Sequence, residues 1–189
     1  MEQVSQQIGY VDLKNDLIAK CEAEQLETYN RRDNIKILGL RENVNENGEP
    51  AGENYQQTID KVIDLTNKLE ANVDVKDISI AHRLPSRKGN VRPVIVKFSR
   101  RVAKIDILRK KKVLYENGSN IRIYEDVSRP RVMFLNMMKE DDRNGSAYTK
   151  HGGILYTIKD KNRVYKIVNL LNGAYELEYS MQDVINCFR

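Results

Sequence analysis

Reactive side chains are scarce in this chain, and one block of charge dominates what chemistry remains. His82 and His151 are the only histidines, and the two cysteines, Cys21 and Cys187, lie near opposite ends. They have no CxxC or Cys/His spacing, so neither a zinc site nor a disulfide framework is expected, and a reducing interior compartment fits best. Glu140, Asp141 and Asp142 form a carboxylate cluster, but side by side at a helix end they read as a solvated acidic cap. No Ser/His/Asp, P-loop or paired-carboxylate constellation is visible, so the expectation is no enzyme, no cofactor and no metal. The basic residues are another matter. The stretch "AHRLPSRKGNVRPVIVKFSRRVAKIDILRKKKV" holds twelve Lys or Arg between His82 and Lys112 against one acid, Asp106. That segment carries +11 in a chain of +5, so the remainder carries −6. The asymmetry predicts a polyanionic partner, met through its phosphates because each neutralised phosphate releases counterions.

The elements that must position this charge fit within 189 residues, enough for one or two small domains. With 40% apolar and 31% charged residues the chain reads as soluble and globular. No apolar run approaches the roughly 20 residues that span a bilayer. "MEQVSQQIGYVDLKND" lacks a basic segment followed by an apolar core, so no secretory signal and no membrane partner are expected.

Residues 1–32 read as a helix. Val4, Ile8, Val11, Asn15, Ile18, Glu22, Gln25 and Tyr29 alternate steps of four and three, the spacing of a short coiled-coil seam. A single amphipathic helix leaning on its own domain fits the spacing equally well. Residues 33–127 then read β-α-β-β-α-β: strands at "NIKILGL", "DISIAHRL", "PVIVKF" and "NIRIYEDV", helices at "NYQQTIDKVIDLTNKLEA" and "SRRVAKIDILRKKKVLYEN". Ser99 is the expected cap of the second helix, with Val102, Ile105, Leu108 and Val113 facing inward. This is the ferredoxin-like split βαβ order, used among nucleic-acid modules by the RRM. Residues 128–189 read as a small α-β-β-α unit, capped by Ser128, with Val132, Leu135, Met138 and Phe134 inward. The fold class is therefore α+β.

On that fold Arg87, Lys88 and Arg92 fall in or beside the β2–β3 loop, Arg83 and Lys97 on its flanking strands, and Arg109, Lys110 and Lys111 late on the second helix. The strands offer little for stacking bases: the third has only Phe98 and the first has no aromatic residue. Binding should then be mostly electrostatic, tolerant of sequence and sensitive to salt. Tyr148, Tyr156 and Tyr165 in the last unit are candidate stackers, Tyr165 more readily explained by hairpin packing.

Taken together, "RRDNIKILGL", "AHRL" with its basic loop, "RPVIVKF", "KIDILRKKK", "IRIYEDVSRPR" and "LNMMKEDD" resemble the protein of the first open reading frame of LINE-type retrotransposons, and related baculoviral few-polyhedra-type proteins. The likeness runs in order from about Arg31 to Phe188. It implies a coiled coil, an atypical RRM and a C-terminal domain, assembled as a homotrimer that binds single-stranded RNA or DNA and acts as a nucleic-acid chaperone. It implies a cytoplasmic ribonucleoprotein, with a nuclear share as the alternative. By matching positions, its binding residues fall on Arg31 and Arg32, on Arg83, Arg87 and Arg92, on Arg129 with Arg131 nearby, and near Tyr148. The N-terminal helix is much shorter than the coiled coil of those proteins, and a dimer is the alternative assembly. A competing reading is an assembly adaptor whose basic face docks an acidic protein.

Overall fold

The computed structural model describes residues 2–48, 50–86, 91–159, 161 and 163–189, with side chains from Tyr10 onward. It is an α+β chain that divides into two compact units, one formed by Asp33–Asp126 and the other by Met1–Arg32 together with Val127–Arg189.

In the central unit, β1 (Asn34–Leu38), α2 (Tyr55–Lys68), β2 (Ile78–Arg83), β3 (Val94–Phe98), α3 (Arg101–Lys110), the single turn α4 (Lys112–Glu116) and β4 (Arg122–Glu125) follow in order. All strand pairs are antiparallel and the sheet order is β2-β3-β1-β4. The β-branched strands put Ile35, Ile37, Val94, Val96 and Ile123 on one face, where they meet Ile59, Val62 and Leu65 of α2 and Ala103 and Ile107 of α3. α2 starts at a capping box, Asn54 and Gln57 each bonding the other's backbone N–H. Tyr55 lies outside its buried face, half exposed, and donates to the Ser79 carbonyl. Gly39, at φ +76°, ends β1; a Cβ there would lie 2.5 Å from the Asn120 carbonyl oxygen, so no larger residue fits.

The second helix differs from expectation. It begins at Arg101, Arg100 stands at the cap without a side-chain bond, and Ser99 instead donates to the Lys76 carbonyl. Val102 is 66% exposed, and Val113 is exposed too. The buried residues are Ala103 and Ile107, which pack on the core, and Lys104, whose ammonium pairs with the buried Glu125 of β4 at 3.3 Å. Leu108 of the expected stripe is half-buried against the same core and Ile105 is half-buried, so the inward side is shared between the two sets.

The second unit joins the two ends of the chain. α1 (Glu2–Asn30) packs with α5 (Arg129–Glu140), the sheet β5-β6-β7 (Asn144–Lys150, Gly153–Ile158, Val164–Ile167), α6 (Leu170–Glu176) and α7 (Met181–Cys187). Residues 1–32 are thus no separate segment. Leu17, Cys21, Glu24 and Thr28, spaced four, three and four, are the buried side of α1. Of the expected seam, Val11, Asn15, Glu22, Gln25 and Tyr29 are exposed and Ile18 is half-buried; Val4 and Ile8 lie outside the described side chains.

The expected α-β-β-α order is also corrected, to α-β-β-β-α-α. β5, "NGSAYTK", was hidden by small and polar residues, yet Asn144 and Ala147 are buried. It joins β6 through His151 and Gly152, both at positive φ (53° and 77°), a two-residue hairpin turn. On α5 the buried residues are Arg131, Phe134, Leu135 and Met138, while Val132 is exposed. Among the described residues no helix is long and apolar enough to cross a membrane.

Candidate nucleic-acid interface

Folding disperses most of the basic block. Seven of its cations pair with acids within the central unit: Arg83 with Glu53 (2.9 Å), Arg92 with Glu42 (2.7 Å), Arg100 with Asp77 (2.8 Å), Arg101 with Asp33 (3.0 Å), Lys104 with Glu125 (3.3 Å), Lys110 with Asp106 (3.3 Å) and Lys112 with Glu116 (2.9 Å). Five of these acids are distant in sequence from their cations, Asp106 and Glu116 sit one helical turn away, and six of the seven lie outside the block, so +11 overstates the field.

Arg83 is a structural residue. Its side chain is 4% exposed; Nε donates to Glu53 Oε2 and Nη1 to the Leu40 and Arg92 carbonyls at 2.6 and 2.8 Å. Burial pushes the Glu53 carboxyl up, but hydrogen bonds from Arg83, Lys61 and the Asn43 amide outweigh it and hold the pKa at about 2. No donor is left for a strand, so the expectation for Arg83 fails. Arg92 is tied to Glu42 through both its backbone N–H and its guanidinium, and Lys110 also donates to the Glu70 carbonyl. Arg87 and Lys88 lie outside the described residues.

Lys97, Arg109 and Lys111 pair with no carboxylate among the described residues. Lys97 and Arg109 are exposed. Lys97 stands on the sheet face away from the helices, between Asn34 and Ile80. The next row on that face reads Tyr124, Lys36, Ile95, His82 across all four strands. Tyr124 is 49% exposed, whereas Phe98 points into the core at 2%. The expectation that this sheet lacks a surface aromatic therefore holds for its first and third strands and misses β4. The signal was the alternation of "IRIYED", which sets Tyr124 opposite the inward Ile123.

In the other unit Arg131 is buried at 1% exposure and bonded to Glu24, so it too is removed from the candidate surface. Arg129, two residues earlier, is exposed at the start of α5. Arg31 pairs with Glu27 at 2.6 Å, and the Arg32 guanidinium lies 3.6 Å from the centre of the Tyr29 ring. The β5–β6 turn rests one helical turn before them: a Cβ on Gly152 would come within 3.1 Å of the Thr28 methyl.

Tyr148 is 46% exposed on the outer face of its sheet. It stands in a row with Leu155 and Lys166, and Lys150 follows two residues on along the same face. Tyr156 and Tyr165 are on the inner face, stacked at 5.3 Å, and Tyr156 is only 2% exposed; neither is a surface stacker. Lys150 and Lys166 carry no sequence signal of their own, each being a lone cation in its strand.

Asp141 of the acidic cluster is held well below the usual carboxylate range by hydrogen bonds from Arg143 and Tyr179. No group of three or more metal-binding side chains occurs among the described residues. No protein-family model matches this chain, and no significant match exists among the curated proteins searched.

Proposed function

We propose that this chain is a non-enzymatic module that binds single-stranded nucleic acid, RNA and also DNA. One observation carries the reading. Each of the two sheets presents, on the face away from its helices, an exposed tyrosine in register with a lysine: Tyr124 beside Lys36, which also pairs with Asp126 at 3.8 Å and has the unpaired Lys97 in the next row, and Tyr148 two strands from Lys166. Rings that stack on bases beside cations that meet phosphates are the two parts of a sequence-tolerant strand platform. The order β2-β3-β1-β4 with both helices on one face supports an RRM-like assignment for the central unit. On this reading Lys97, Arg109, Lys111, Arg129 and Tyr148 meet the strand. The chain coats it as a ribonucleoprotein with chaperone activity, as in retrotransposition. α1, with Val11, Leu26 and Tyr29 exposed, serves self-association.

Filter binding of single-stranded RNA across a salt series tests this, with polyglutamate as the competing ligand. Log affinity should fall linearly with log salt at about −0.7 per phosphate, so four to six contacts give roughly −3 to −4. A salt-insensitive complex, or polyglutamate binding as tightly as RNA, would overturn it in favour of a protein adaptor.

A further inference from the structure

Along the free edge of the central sheet, β4 and the α3–α4 junction enclose a groove of about 260 Å³. Ile121 and Ile123 floor it, Tyr115 and Tyr124 wall it, and Lys111 and Arg122 stand at its rim. We propose that this groove is a subsite for one nucleotide of a bound single strand, its base against the tyrosines and its phosphate against Lys111 and Arg122. The inference rests on the strand-binding reading above and adds a place where a base is gripped rather than merely neutralised.

Three features choose the occupant. First, both rings are available, Tyr115 at 71% exposure and Tyr124 at 49%, and each already has a cation beside it. The Arg122 guanidinium lies 5.2 Å from the Tyr115 centroid and the Lys111 ammonium 5.8 Å from that of Tyr124. A flat π system beside a fixed cation suits an aromatic ligand that is also an anion.

Second, Lys111 is under-satisfied. Its Nζ donates to the Ile123 carbonyl at 3.0 Å and contacts no carboxylate, although the side chain is half-buried. Burial pushes its ammonium pKa down, opposed only by the nearby Glu125. An ammonium has three donors, so two remain for an anion that would restore its charge. Glu116, the acid next to Tyr115, is already paired with Lys112.

Third, the alternative of an added β-strand is closed off. β4 is an edge strand, and an incoming strand needs its outward carbonyls. The Lys111 ammonium already occupies that of Ile123. The groove is also smaller than the roughly 300 Å³ at which pockets for drug-sized ligands begin, which suits a single ring system.

Photocrosslinking of a thiouridine-substituted single-stranded RNA to the full chain, with peptide mapping, tests the assignment. Crosslinks should map to Tyr115 or Tyr124. Tyr115→Ala with Tyr124→Ala should weaken binding about ten- to hundredfold while leaving the salt slope unchanged, because stacking releases no counterions. Both rings are exposed, so the variant should stay folded, and the pair of Phe replacements should bind within about twofold of the parent because the ring, not the hydroxyl, stacks. RNA retained with no crosslink at either position and no loss on alanine substitution overturns the subsite and leaves strand binding standing. A parent chain that retains no RNA overturns both. Displacement of the RNA crosslink by polyglutamate at matched charge would reassign the groove to an acidic protein segment.

Discussion

Arg131 and Glu24 face each other across the α5–α1 contact, each 1% exposed, with Nη2 to Oε2 at 2.6 Å and Nε to Oε1 at 2.9 Å. The Ser128 and Thr28 hydroxyls donate to the same carboxylate. Burial pushes the Glu24 carboxyl up, but Arg131 and the hydroxyls outweigh it and leave the pKa lowered. One pair thus fixes α1 to its unit and holds the start of α5, where the exposed Arg129 stands.

Breaking that pair should unfold the unit rather than spoil a surface. Arg131→Ala is expected to cost about 3–5 kcal/mol by leaving Glu24 buried and unpaired. Arg131→Met with Glu24→Leu should recover most of it. Urea titration followed at the Phe134 and Tyr156 amide signals reports both. Arg129→Ala should leave the midpoint in place and lower RNA affinity. If Arg131→Ala keeps full stability and loses RNA, the buried assignment is wrong.

The two sides of α1 should separate. Leu17→Ala removes a side chain at 1% exposure and should cost about 2–5 kcal/mol without changing solution mass. Val11→Ser leaves the fold intact because Val11 is exposed, and should reduce any oligomer measured by light scattering. Loss of fold from Val11→Ser, or a change of mass from Leu17→Ala alone, would merge the two roles.

Acid should destabilise the central unit through Glu53. Its folded pKa, about 2, lies below the ordinary 4.5, so the ionised carboxylate favours the fold. The contribution, roughly 3 kcal/mol, is complete above about pH 4.5 and is lost as pH falls toward about 2. Urea midpoints at neutral and acid pH should therefore converge for Glu53→Gln and diverge for the parent. A Glu53→Gln chain with the parent's pH dependence would remove Glu53 as the cause.

Paired and unpaired cations should differ in salt response. Lys97→Ala and Arg109→Ala should each flatten the salt slope by about 0.7 with little change in stability. Arg100→Ala and Arg101→Ala, whose charges are already matched by Asp77 and Asp33, should flatten it less. Equal flattening by all four would return the whole basic block to the interface.

The strands of the central unit were legible because β-branched residues alternate there, and the cap at Ser128 in the other unit because a short polar side chain precedes Arg129 and Pro130 at the start of the helix. β5 was not: "NGSAYTK" has one β-branched residue, Thr149, and no clear apolar alternation, and its strand exists through pairing with β6. The face of α3 was misread because a buried Lys104 cannot be recognised without its partner Glu125, which lies 21 residues further along the chain. The site was half legible for the same reason. Basic residues are visible in sequence, but the acids that cancel Arg83, Arg92 and Arg131 come from other elements.

The split composition of the second unit also sets an order of events during synthesis. α1 is made before the central unit, yet Leu17 and Cys21 find their partners on α5 to α7 only after the Val127–Arg189 segment has been made. The central unit, a continuous segment from Asp33 to Asp126, is complete before then. Until those partners exist, the Leu17 and Cys21 side of α1 has nothing of its own unit to pack on, which is the interval in which an apolar face is exposed to other chains.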